Sequence, residues 1–311
     1  MPHSSDISGR FWNLPQKGEE EAAREQTFID DIISKSHIQR LLLENLGGIR
    51  TAFDGGGGAG RFSLLLAAHG VHVTHFDISQ PMIDKARQLA EQRGVAQNIT
   101  FIHGALEDLS AFADNQFDLV MSFDAPISYT WPGQNQVIEN LLRIAARRLC
   151  VSVYSRAATV AYNFDPSSKE KYILTKSAKD TNLGNIKLRS LQKRRKNFRP
   201  DFGRAREIMR TGLPDDPATV QATFERGETP WPMSYAFTPG ELQSLLERFG
   251  AQNVRLSGPG ALSRSIPGEL LRAYMRDEAL KREFLDFCYE YDSQPWAVGL
   301  GKDNVVAIAE V

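Results

Sequence analysis

The sequence is poor in the features that mark secreted, membrane-spanning or strongly charged proteins. It has only two cysteines, Cys150 and Cys288, in 311 residues, which are too few for a disulfide framework or a zinc cage. No apolar run approaches the roughly 18 residues that a membrane-spanning helix needs, and Met1–Arg10 is too polar for a secretory signal. The formal net charge is −1, so no global field favours nucleic acid or an anionic membrane. We therefore expect a cytoplasmic protein whose two reduced cysteines are buried as hydrophobic residues.

Patterns of metal ligands are also scarce. The six histidines form no H-x-x-E or H-x-x-x-H spacing of the kind that places two ligands on one helix face. His75 and His103 fall on predicted strands, where we expect core or sheet-edge residues rather than catalytic bases. The sequence therefore predicts no metal site.

The remaining composition is that of an ordinary globular protein. Apolar residues make up 41% and charged residues 24% of the chain, and 311 residues can bury a full core. The first ten residues look disordered. An apolar stripe at helical spacing then runs from Glu19 to Leu46, with a possible break near Ser36, and Gly47-Gly48 ends it. We assign residues 1–48 to an N-terminal helical cap.

From residue 51 onward the chain alternates strands and helices. Val71–Phe76 alternates β-branched residues as a half-buried strand does, and an amphipathic helix follows the good N-cap residue Ser79. The other strands predicted in this region are 51–53, 99–103, 117–123 and 149–155, the last of them after a helix over 136–148. This alternation predicts an α/β fold with a doubly wound, mostly parallel sheet.

Two long stretches interrupt the alternation. Residues 156–237 are rich in Lys, Arg and Pro, and residues 258–303 carry two helical patterns. Between them the α/β pattern resumes with a helix that Thr238 caps and a strand over 253–256, and it ends in a strand over 304–311. We therefore predict two mainly helical insertions in a core made of 49–155, 238–257 and 304–311.

A run of glycines, Asp54-Gly55-Gly56-Gly57-Gly58-Ala59-Gly60, stands between the first strand and its helix. Glycines allow a tight turn and let backbone N–H groups approach a ligand at the helix N-terminus. Four consecutive glycines cost too much backbone entropy for a turn that binds nothing. The acid precedes the glycines here, unlike in the G-x-G-x-x-G fingerprint of NAD enzymes. The spacing Asp-x-Gly-x-Gly-x-Gly resembles motif I of the class I, Rossmann-like S-adenosylmethionine (SAM)-dependent methyltransferases, and we infer the type that acts on small molecules.

The resemblance implies SAM as co-substrate and assigns it a set of contacts. The motif I acid, Asp54, acts on the ammonium group of SAM beside the turn formed by Gly56, Gly58 and Gly60. Asp77 ends the second strand and resembles the motif II acid, which accepts both ribose hydroxyls. The residues that would then line the adenine are Ile78 and Met82. Alternatively, Asp77 only caps the helix that begins after Ser79.

The third site departs from the family pattern. Family members often have Gly-Asp-Ala after strand three, with the Asp bonding the adenine amino group. The aligned residues here are Gly104-Ala105-Leu106-Glu107-Asp108, and Ala105 cannot make that bond. We expect the backbone of Leu106 to contact the adenine, together with either Glu107 or Asp108.

The loop after strand four is expected to face the transferable methyl group. Its residues are Phe123-Asp124-Ala125-Pro126-Ile127-Ser128-Tyr129, and ligands of doubly wound folds bind at the carboxyl ends of strands. The loop lacks the Asn/Asp-Pro-Pro-Tyr/Phe signature of amino-directed nucleic-acid methyltransferases. We predict that Phe123 contacts the cofactor and that Asp124 or Tyr129 orients or deprotonates the acceptor. The resemblance also implies seven strands, the last of them antiparallel.

Strand direction predicts where the insertions lie. Strands one to six point the same way, so the first insertion leaves strand five at the carboxyl edge of the sheet, above the cofactor. The second insertion leaves strand six at the same edge and returns from it into the last strand. Phe11-Trp12 is expected to add a third flap. Such a roof predicts an enclosed, water-poor pocket that suits a small substrate. We predict a substrate pocket of Trp12, Ser128, Tyr162 and Tyr172; other aromatic residues that could contact the sulfonium are Tyr129, Trp231, Tyr235, Tyr291 and Trp296.

The function predicted from these features is transfer of a methyl group from SAM to a small-molecule acceptor in biosynthesis. Two alternatives stay open. Some proteins that resemble this family cyclise SAM itself, giving azetidine-2-carboxylate and methylthioadenosine. The basic stretch Lys193–Lys196 is either a solvated part of the lid or a patch for nucleic acid, in which case the protein would methylate or bind RNA or DNA.

Overall fold

A computed structural model describes residues 4–24, 28–161, 164, 199–301 and 304–311. The strands of its sheet are Thr51–Gly55 (β1), His72–Asp77 (β2), Ile99–His103 (β3), Phe117–Ser122 (β4), Ala145–Tyr154 (β5), Gln252–Ser257 (β6) and Asn304–Glu310 (β7). They form one seven-stranded sheet in the order β3-β2-β1-β4-β5-β7-β6. All pairings from β3 to β5 are parallel, whereas β7 runs antiparallel to both β5 and β6. The predicted α/β fold with an antiparallel last strand is confirmed.

Helices cover both faces of the sheet and the edge at the carboxyl ends of its parallel strands. The described helices are Ser4–Trp12 (α1), Lys17–Ala22 (α2), Ile29–Glu44 (α3), Arg61–Ala68 (α4), Gln80–Gln92 (α5), Gln134–Ile144 (α6), Arg156–Ala161 (α7), Phe202–Thr211 (α8), Pro217–Glu225 (α9), Pro239–Arg248 (α10), Gly268–Arg276 (α11), Glu278–Tyr291 (α12) and Pro295–Val298 (α13). Thr238 caps α10 in a full capping box with Glu241, as its position in the sequence predicts. In the described part of the chain, no helix is both long and apolar enough to cross a membrane.

The core lies on both faces of the sheet because side chains alternate along each strand. On β5, Leu149 and Val151 pack into the cluster around Phe53, whereas Cys150 packs into the cluster on the opposite face. Cys150 is fully buried, which raises the pKa of its thiol to about 12. Cys288 is buried as well, on α12. The prediction that both cysteines are buried is therefore confirmed.

The N-terminal segment corrects the sequence prediction. Residues 4–12 form α1 rather than a disordered tail. Ile7 is only 1% exposed and packs against Val220 and Met233, so distant residues stabilise a helix whose own sequence is largely polar. Over the described part of 19–46, the single predicted helix is replaced by α2 and α3 as separate helices, and α3 runs through Ser36 without a break.

The boundary between α6 and β5 was also predicted wrongly. The helix ends at Ile144 and β5 begins directly at Ala145, so Arg147 and Arg148 lie on the strand. Ala145 pairs with Phe117 of β4, and Arg148 pairs with Glu310 of β7. The hydrogen bonds of two neighbouring strands outweigh the helix propensity of this stretch.

The second insertion is attached to α3 by a buried polar network. His37 of α3 lies between Asp292 (Nδ1 to Oδ2, 3.1 Å) and Ser257 (Nε2 to Oγ, 2.8 Å). Asp292 also accepts the backbone N–H of Gly260 at 3.0 Å. All three side chains are at most 5% exposed. The network therefore holds α3, the end of β6 and the end of α12 in one arrangement.

We predict that Asp292→Ala lowers the free energy of unfolding by about 2–4 kcal/mol, because it leaves the buried His37 ring and the Gly260 N–H without an acceptor. Urea denaturation followed by circular dichroism measures the change. The control is Asp286→Ala on the same helix. Asp286 pairs with Arg40 at 63% side-chain exposure, so little change is expected. Equal effects of the two variants would contradict a stabilising role for the network.

Candidate functional site

Two adjoining cavities lie at the carboxyl ends of β1 and β4, where the strand order reverses. Ligands of doubly wound sheets bind at this point. The first cavity, of about 190 Å³, is bounded by the glycine turn, the ends of β2, β3 and β4, and helices α1 and α2. The second, of about 560 Å³, lies beside it under residues 214–234. We call them the cofactor cavity and the acceptor cavity, after the ligands that the resemblance of the sequence implies.

The glycine turn leaves space that no other residue would leave. Gly56 and Gly58 both line the cofactor cavity with positive φ, +73° and +55°. A Cβ on Gly56 would lie 2.4 Å from Cγ of Pro126, so a side chain there would displace the loop after β4. Gly60 does not line the cavity; it precedes α4 at φ +85° and packs against Ala86. Gly60 helps to form the turn here, and its contact with the cofactor stays a prediction.

Asp77 holds the turn from the neighbouring strand. Its Oδ2 accepts the backbone N–H of Gly58 and its Oδ1 that of Ser79, both at 2.8 Å. Burial raises the pKa of Asp77 to about 6, although both backbone hydrogen bonds oppose the shift. Ser79 itself caps α5 by accepting from Met82 N, so Asp77 is not needed as the N-cap residue. A carboxylate can accept about four hydrogen bonds, and two of these remain for a ligand in the cavity.

Asp54 and His75 form a buried pair through Ser63. Ser63 Oγ donates to Asp54 Oδ2 at 2.6 Å and lies 3.0 Å from Nδ1 of His75. Burial raises the pKa of Asp54 to about 7 and lowers that of His75 to about 4. His75 is therefore a neutral core residue, as predicted. His103 lies at the end of the edge strand β3, with Nε2 2.9 Å from the carbonyl oxygen of Ile78, also as predicted.

The loop after β3 resolves the open choice between two acids. Leu106 and Glu107 line the cofactor cavity, and Glu107 accepts a hydrogen bond from Ser4 of α1 at 2.6 Å. Asp108 points to solvent and accepts from Ser110 instead. The placement favours Glu107. The remaining predicted cofactor contacts, Ile78, Met82 and Phe123, also line this cavity.

The loop after β4 is conformationally unusual at the junction of the two cavities. Asp124 and Ala125 have φ of +64° and +65°, a conformation that costs energy for residues other than glycine and that is often found at functional sites. Asp124 and Tyr129 line both cavities. Ser128 lines neither, because its fully buried Oγ accepts the backbone N–H of Tyr154. Its assignment to the substrate pocket is corrected.

Aromatic rings form one wall of the acceptor cavity. The ring centroids of Trp12, Tyr129 and Trp231 lie 5.6–6.2 Å from one another, and the hydroxyls of Tyr129 and Tyr154 share a short hydrogen bond. The other aromatic candidates, Tyr235, Tyr291 and Trp296, line neither cavity. Tyr162 and Tyr172, predicted for the substrate pocket, lie outside the described residues.

Sequence reasoning missed a cluster of buried and partly buried charges at the junction of the two cavities. Lys35 Nζ lies 3.3 Å from Glu21 Oε1 and 3.4 Å from Asp124 Oδ2. Arg24 pairs with Glu21 at 3.2 Å and with Asp31 at 2.9 Å. We call Glu21, Arg24, Asp31, Lys35 and Asp124 the charge cluster. The sequence signal for this cluster is the i,i+4 pair Asp31 and Lys35 within the apolar stripe of α3.

Burial and ion pairing shift the pKa values of the carboxyl groups in the charge cluster in opposite directions. Burial opposes ionisation of Glu21, but attraction to Arg24 and Lys35 outweighs it and lowers the pKa of Glu21 to about 2. Burial raises the pKa of Asp31 to about 7, with Asp30 and Asp124 adding repulsion. The pKa of Lys35 is raised because Asp124 and Glu21 outweigh its burial. Lys35 thus stays charged and Asp31 titrates near neutral pH.

Part of the chain around the cofactor cavity is similar to known proteins. Residues 52–148 match a family described as a methyltransferase domain. The tRNA 5-carboxymethoxyuridine methyltransferase of Escherichia coli (strain K12) is 40% identical over 68 residues, 22% of this chain and 26% of the relative. The uncharacterized methyltransferase YbaJ of Bacillus subtilis (strain 168) is 32% identical over 87 residues, which are 28% of this chain and 30% of the relative. The chain therefore spans less than a third of the length of either relative.

The fold recurs in solved structures at low sequence identity. The [4+2]-cyclase SpnF superposes with a TM-score of 0.53 and 12% identity, covering 99% of this chain and 97% of the cyclase. The family match includes the glycine turn, Asp77, Leu106 and Glu107. Residues 52–148 thus match a methyltransferase domain, in agreement with the resemblance that the motifs of the sequence indicate.

The cofactor cavity fits SAM in its local chemistry. The glycine turn leaves room for the cofactor to approach the backbone, and Asp54 is a buried carboxyl group whose ionised form lacks a cationic partner among the described residues. An ammonium group is the partner that such a carboxylate needs.

We predict that Asp77→Asn weakens binding of S-adenosylhomocysteine at least tenfold, because it removes the charge from two hydrogen bonds worth roughly 1.5–3 kcal/mol each. Asparagine keeps one acceptor for the turn, which alanine would not. Isothermal titration calorimetry measures the affinity, and the melting temperature checks the fold. Unchanged affinity would exclude Asp77 as the ribose ligand.

We also predict that this affinity falls at least fivefold from about pH 8 to about pH 5.5. The raised pKa values of Asp54, about 7, and Asp77, about 6, mean that both carboxyl groups gain protons in this interval. The ammonium group of the ligand stays positively charged and loses its partner as the pH falls. Asp54→Asn should bind more weakly and show a smaller pH dependence in calorimetry at both pH values. An undiminished pH dependence in this variant would contradict the role of Asp54.

Proposed function

We propose that this protein transfers the methyl group of SAM to a small-molecule acceptor held in the acceptor cavity. The observation that carries the proposal is the shared wall of the two cavities. Both are lined by Trp12, Glu21, Arg24, Met82, Asp124 and Tyr129. An acceptor in the second cavity would therefore meet the cofactor across these residues. A cavity of about 560 Å³ has the size usual for small-ligand sites.

The charges of the acceptor cavity support a small molecule over a polynucleotide. Its described wall contains six carboxyl groups, those of Glu20, Glu21, Asp30, Asp31, Asp124 and Asp215, and only two cationic side chains, those of Lys17 and Arg24. Nucleic-acid sites instead concentrate Lys and Arg against the phosphates. The excess of acids favours a neutral or cationic acceptor, such as an amine.

A nucleic-acid acceptor remains the second candidate. It is favoured by the name of the Escherichia coli relative, a tRNA methyltransferase, and by the basic stretch Lys193–Lys196, which lies outside the described residues. The similarity to that relative covers 22% of this chain, too little to carry over its acceptor.

The residues of the cofactor cavity would divide the binding of SAM as follows. Asp54 pairs with the ammonium group, Asp77 accepts from the ribose hydroxyls, and Glu107 accepts from the adenine amino group. The residues that provide apolar contacts are Ile78, Met82 and Phe123. SAM supplies an electrophilic methyl group, which the acceptor would take by in-line displacement at the methyl carbon, with S-adenosylhomocysteine as the leaving group. Most of the rate would come from alignment, which can contribute roughly 7–11 kcal/mol.

Asp124 and Tyr129 would have different roles at the acceptor. Burial and the neighbouring Tyr154 raise the pKa of Tyr129 well above its ordinary value, so Tyr129 stays a neutral phenol that orients the acceptor. Asp124 is held by Lys35 at 3.4 Å and can accept a proton or a hydrogen bond from the acceptor. The carboxylate is therefore the better candidate for a base.

The test is analysis of the products by mass spectrometry after incubation of the purified protein with SAM. We expect S-adenosylhomocysteine and a methylated small molecule when the low-molecular-weight fraction of a cell extract is added. Methylthioadenosine formed from SAM alone would instead show intramolecular cyclisation. Methyl transfer only with the RNA fraction would show a nucleic-acid acceptor.

Two variants sharpen this test. Asp124→Asn should lower turnover by at least tenfold while the affinity for S-adenosylhomocysteine stays within about threefold, because asparagine keeps the size of this side chain, which lines both cavities, and removes its ability to act as a base. Neutralising Lys193, Arg194, Arg195 and Lys196 together should leave turnover of a small acceptor within a few-fold. Loss of turnover together with loss of RNA binding in that variant would support the second candidate.

A further inference from the structure

One face of α1 lies against the cofactor cavity. Ser4, Ser8 and Trp12 are four residues apart and so share this face. Ser4 donates to Glu107 Oε1 at 2.6 Å, and the carbonyl oxygen of Trp12 accepts from Ser79 Oγ at 2.6 Å. The helix is thus attached at one end to the loop after β3 and at the other to the segment after Asp77. Ser8 lies midway between these attachments.

The hydroxyl of Ser8 is buried in an unusual way. Ser8 is 6% exposed and lines the cofactor cavity, and its Oγ has no hydrogen-bond partner among the described residues. Buried hydroxyl groups nearly always have a partner, and a serine within a helix usually finds one in a carbonyl group of the preceding turn. Ser8 lines the ligand cavity, and its buried hydroxyl lacks a partner that a ligand in this cavity would supply.

We propose that Ser8 is a cofactor-binding residue whose hydroxyl hydrogen-bonds the adenosine part of SAM. The position of Ser8 along α1 supports the adenosine part as its partner. One turn before Ser8, the helix contacts Glu107, the candidate adenine ligand; one turn after it, Trp12 reaches the wall that the two cavities share. Next to Ser8, the Cα of Gly9 faces Ile78, such that a Cβ there would lie 3.7 Å from Ile78 Cδ1.

The consequence is that α1, which contains none of the sequence motifs of the core, contributes to the cofactor site. Part of the affinity for cofactor then comes from a helix outside the residues that match the methyltransferase domain, 52–148. The inference rests on the proposed function only in requiring that the cofactor cavity binds SAM. It does not depend on the identity of the acceptor.

The test measures binding to the full-length protein, without any acceptor. Ser8→Ala should lower the affinity for S-adenosylhomocysteine about three- to tenfold in calorimetry, since one neutral hydrogen bond is lost. The affinity for methylthioadenosine, which shares the adenosine part, should fall by the same factor. Ser5→Ala is the matched control, because it makes the same change on the same helix at a residue that lines neither cavity. Its affinity should stay within about twofold of the unchanged protein.

The melting temperature separates a ligand contact from a structural role. Without ligand, Ser8→Ala should melt no lower than the unchanged protein, because the hydroxyl removed has no partner among the described residues. The stabilisation by S-adenosylhomocysteine should nevertheless be smaller in this variant. Ser8→Cys, of similar size but with a weaker hydrogen-bonding group, should also weaken binding and replaces Ser8→Ala if that variant does not fold.

Two results would overturn the proposal. Equal affinity of the Ser8 variants, the Ser5 variant and the unchanged protein would exclude the contact. A lower melting temperature without ligand, with unchanged affinity, would make Ser8 structural. Failure of the unchanged protein to bind S-adenosylhomocysteine is a separate outcome, which would overturn the assignment of the cofactor cavity itself.

Discussion

Parallel pairing of β1 with β4 is the constraint on which the rest of the site depends. Because β2 and β3 extend the sheet on one side of β1, and β4 and β5 on the other, the loops after β1 and β4 diverge and leave a crevice between them. The glycine turn enters this crevice from β1, and the loop bearing Asp124 enters it from β4. The cofactor cavity and the acceptor cavity both lie at this reversal of strand order.

The site also buries charged and ionisable groups, which costs free energy. Asp54, Asp77 and Asp31 all have raised pKa values because they are withdrawn from water. Lys35 is the buried cation that links Glu21 of α2 to Asp124 of the loop after β4. Buried charges are tolerated only when they are paired or hydrogen-bonded. The charge cluster therefore couples the position of the N-terminal helices to the conformation of the loop that would face the acceptor.

The two insertions contribute unequally to this site. Residues 214–234 of the first insertion cover the acceptor cavity, with Trp231 packed against Trp12 and Tyr129. Among the described residues of the second insertion, 258–301, only Pro259 lines that cavity. Its helices pack instead on α3, through Leu271 and Phe284 against Ile29 and Ile33. The second insertion thus supports the helix that carries Asp31 and Lys35.

The sequence by itself determined the sheet, its strand directions and the core of the cofactor site, because these depend on local signals. Apolar residues recur about every 2 residues along a strand and about every 3.6 along a helix, according to which face is buried. A glycine turn after a strand depends on backbone conformation alone. The tertiary structure alone decided that residues 4–12 form a helix, that Glu107 rather than Asp108 lines the cavity, and that Ser128 and Gly60 do not. It also brought together the charge cluster and Ser8. Their positions depend on partners distant along the chain, such as Glu107 for Ser4, Val220 for Ile7 and Asp124 for Lys35, and no local pattern encodes such contacts.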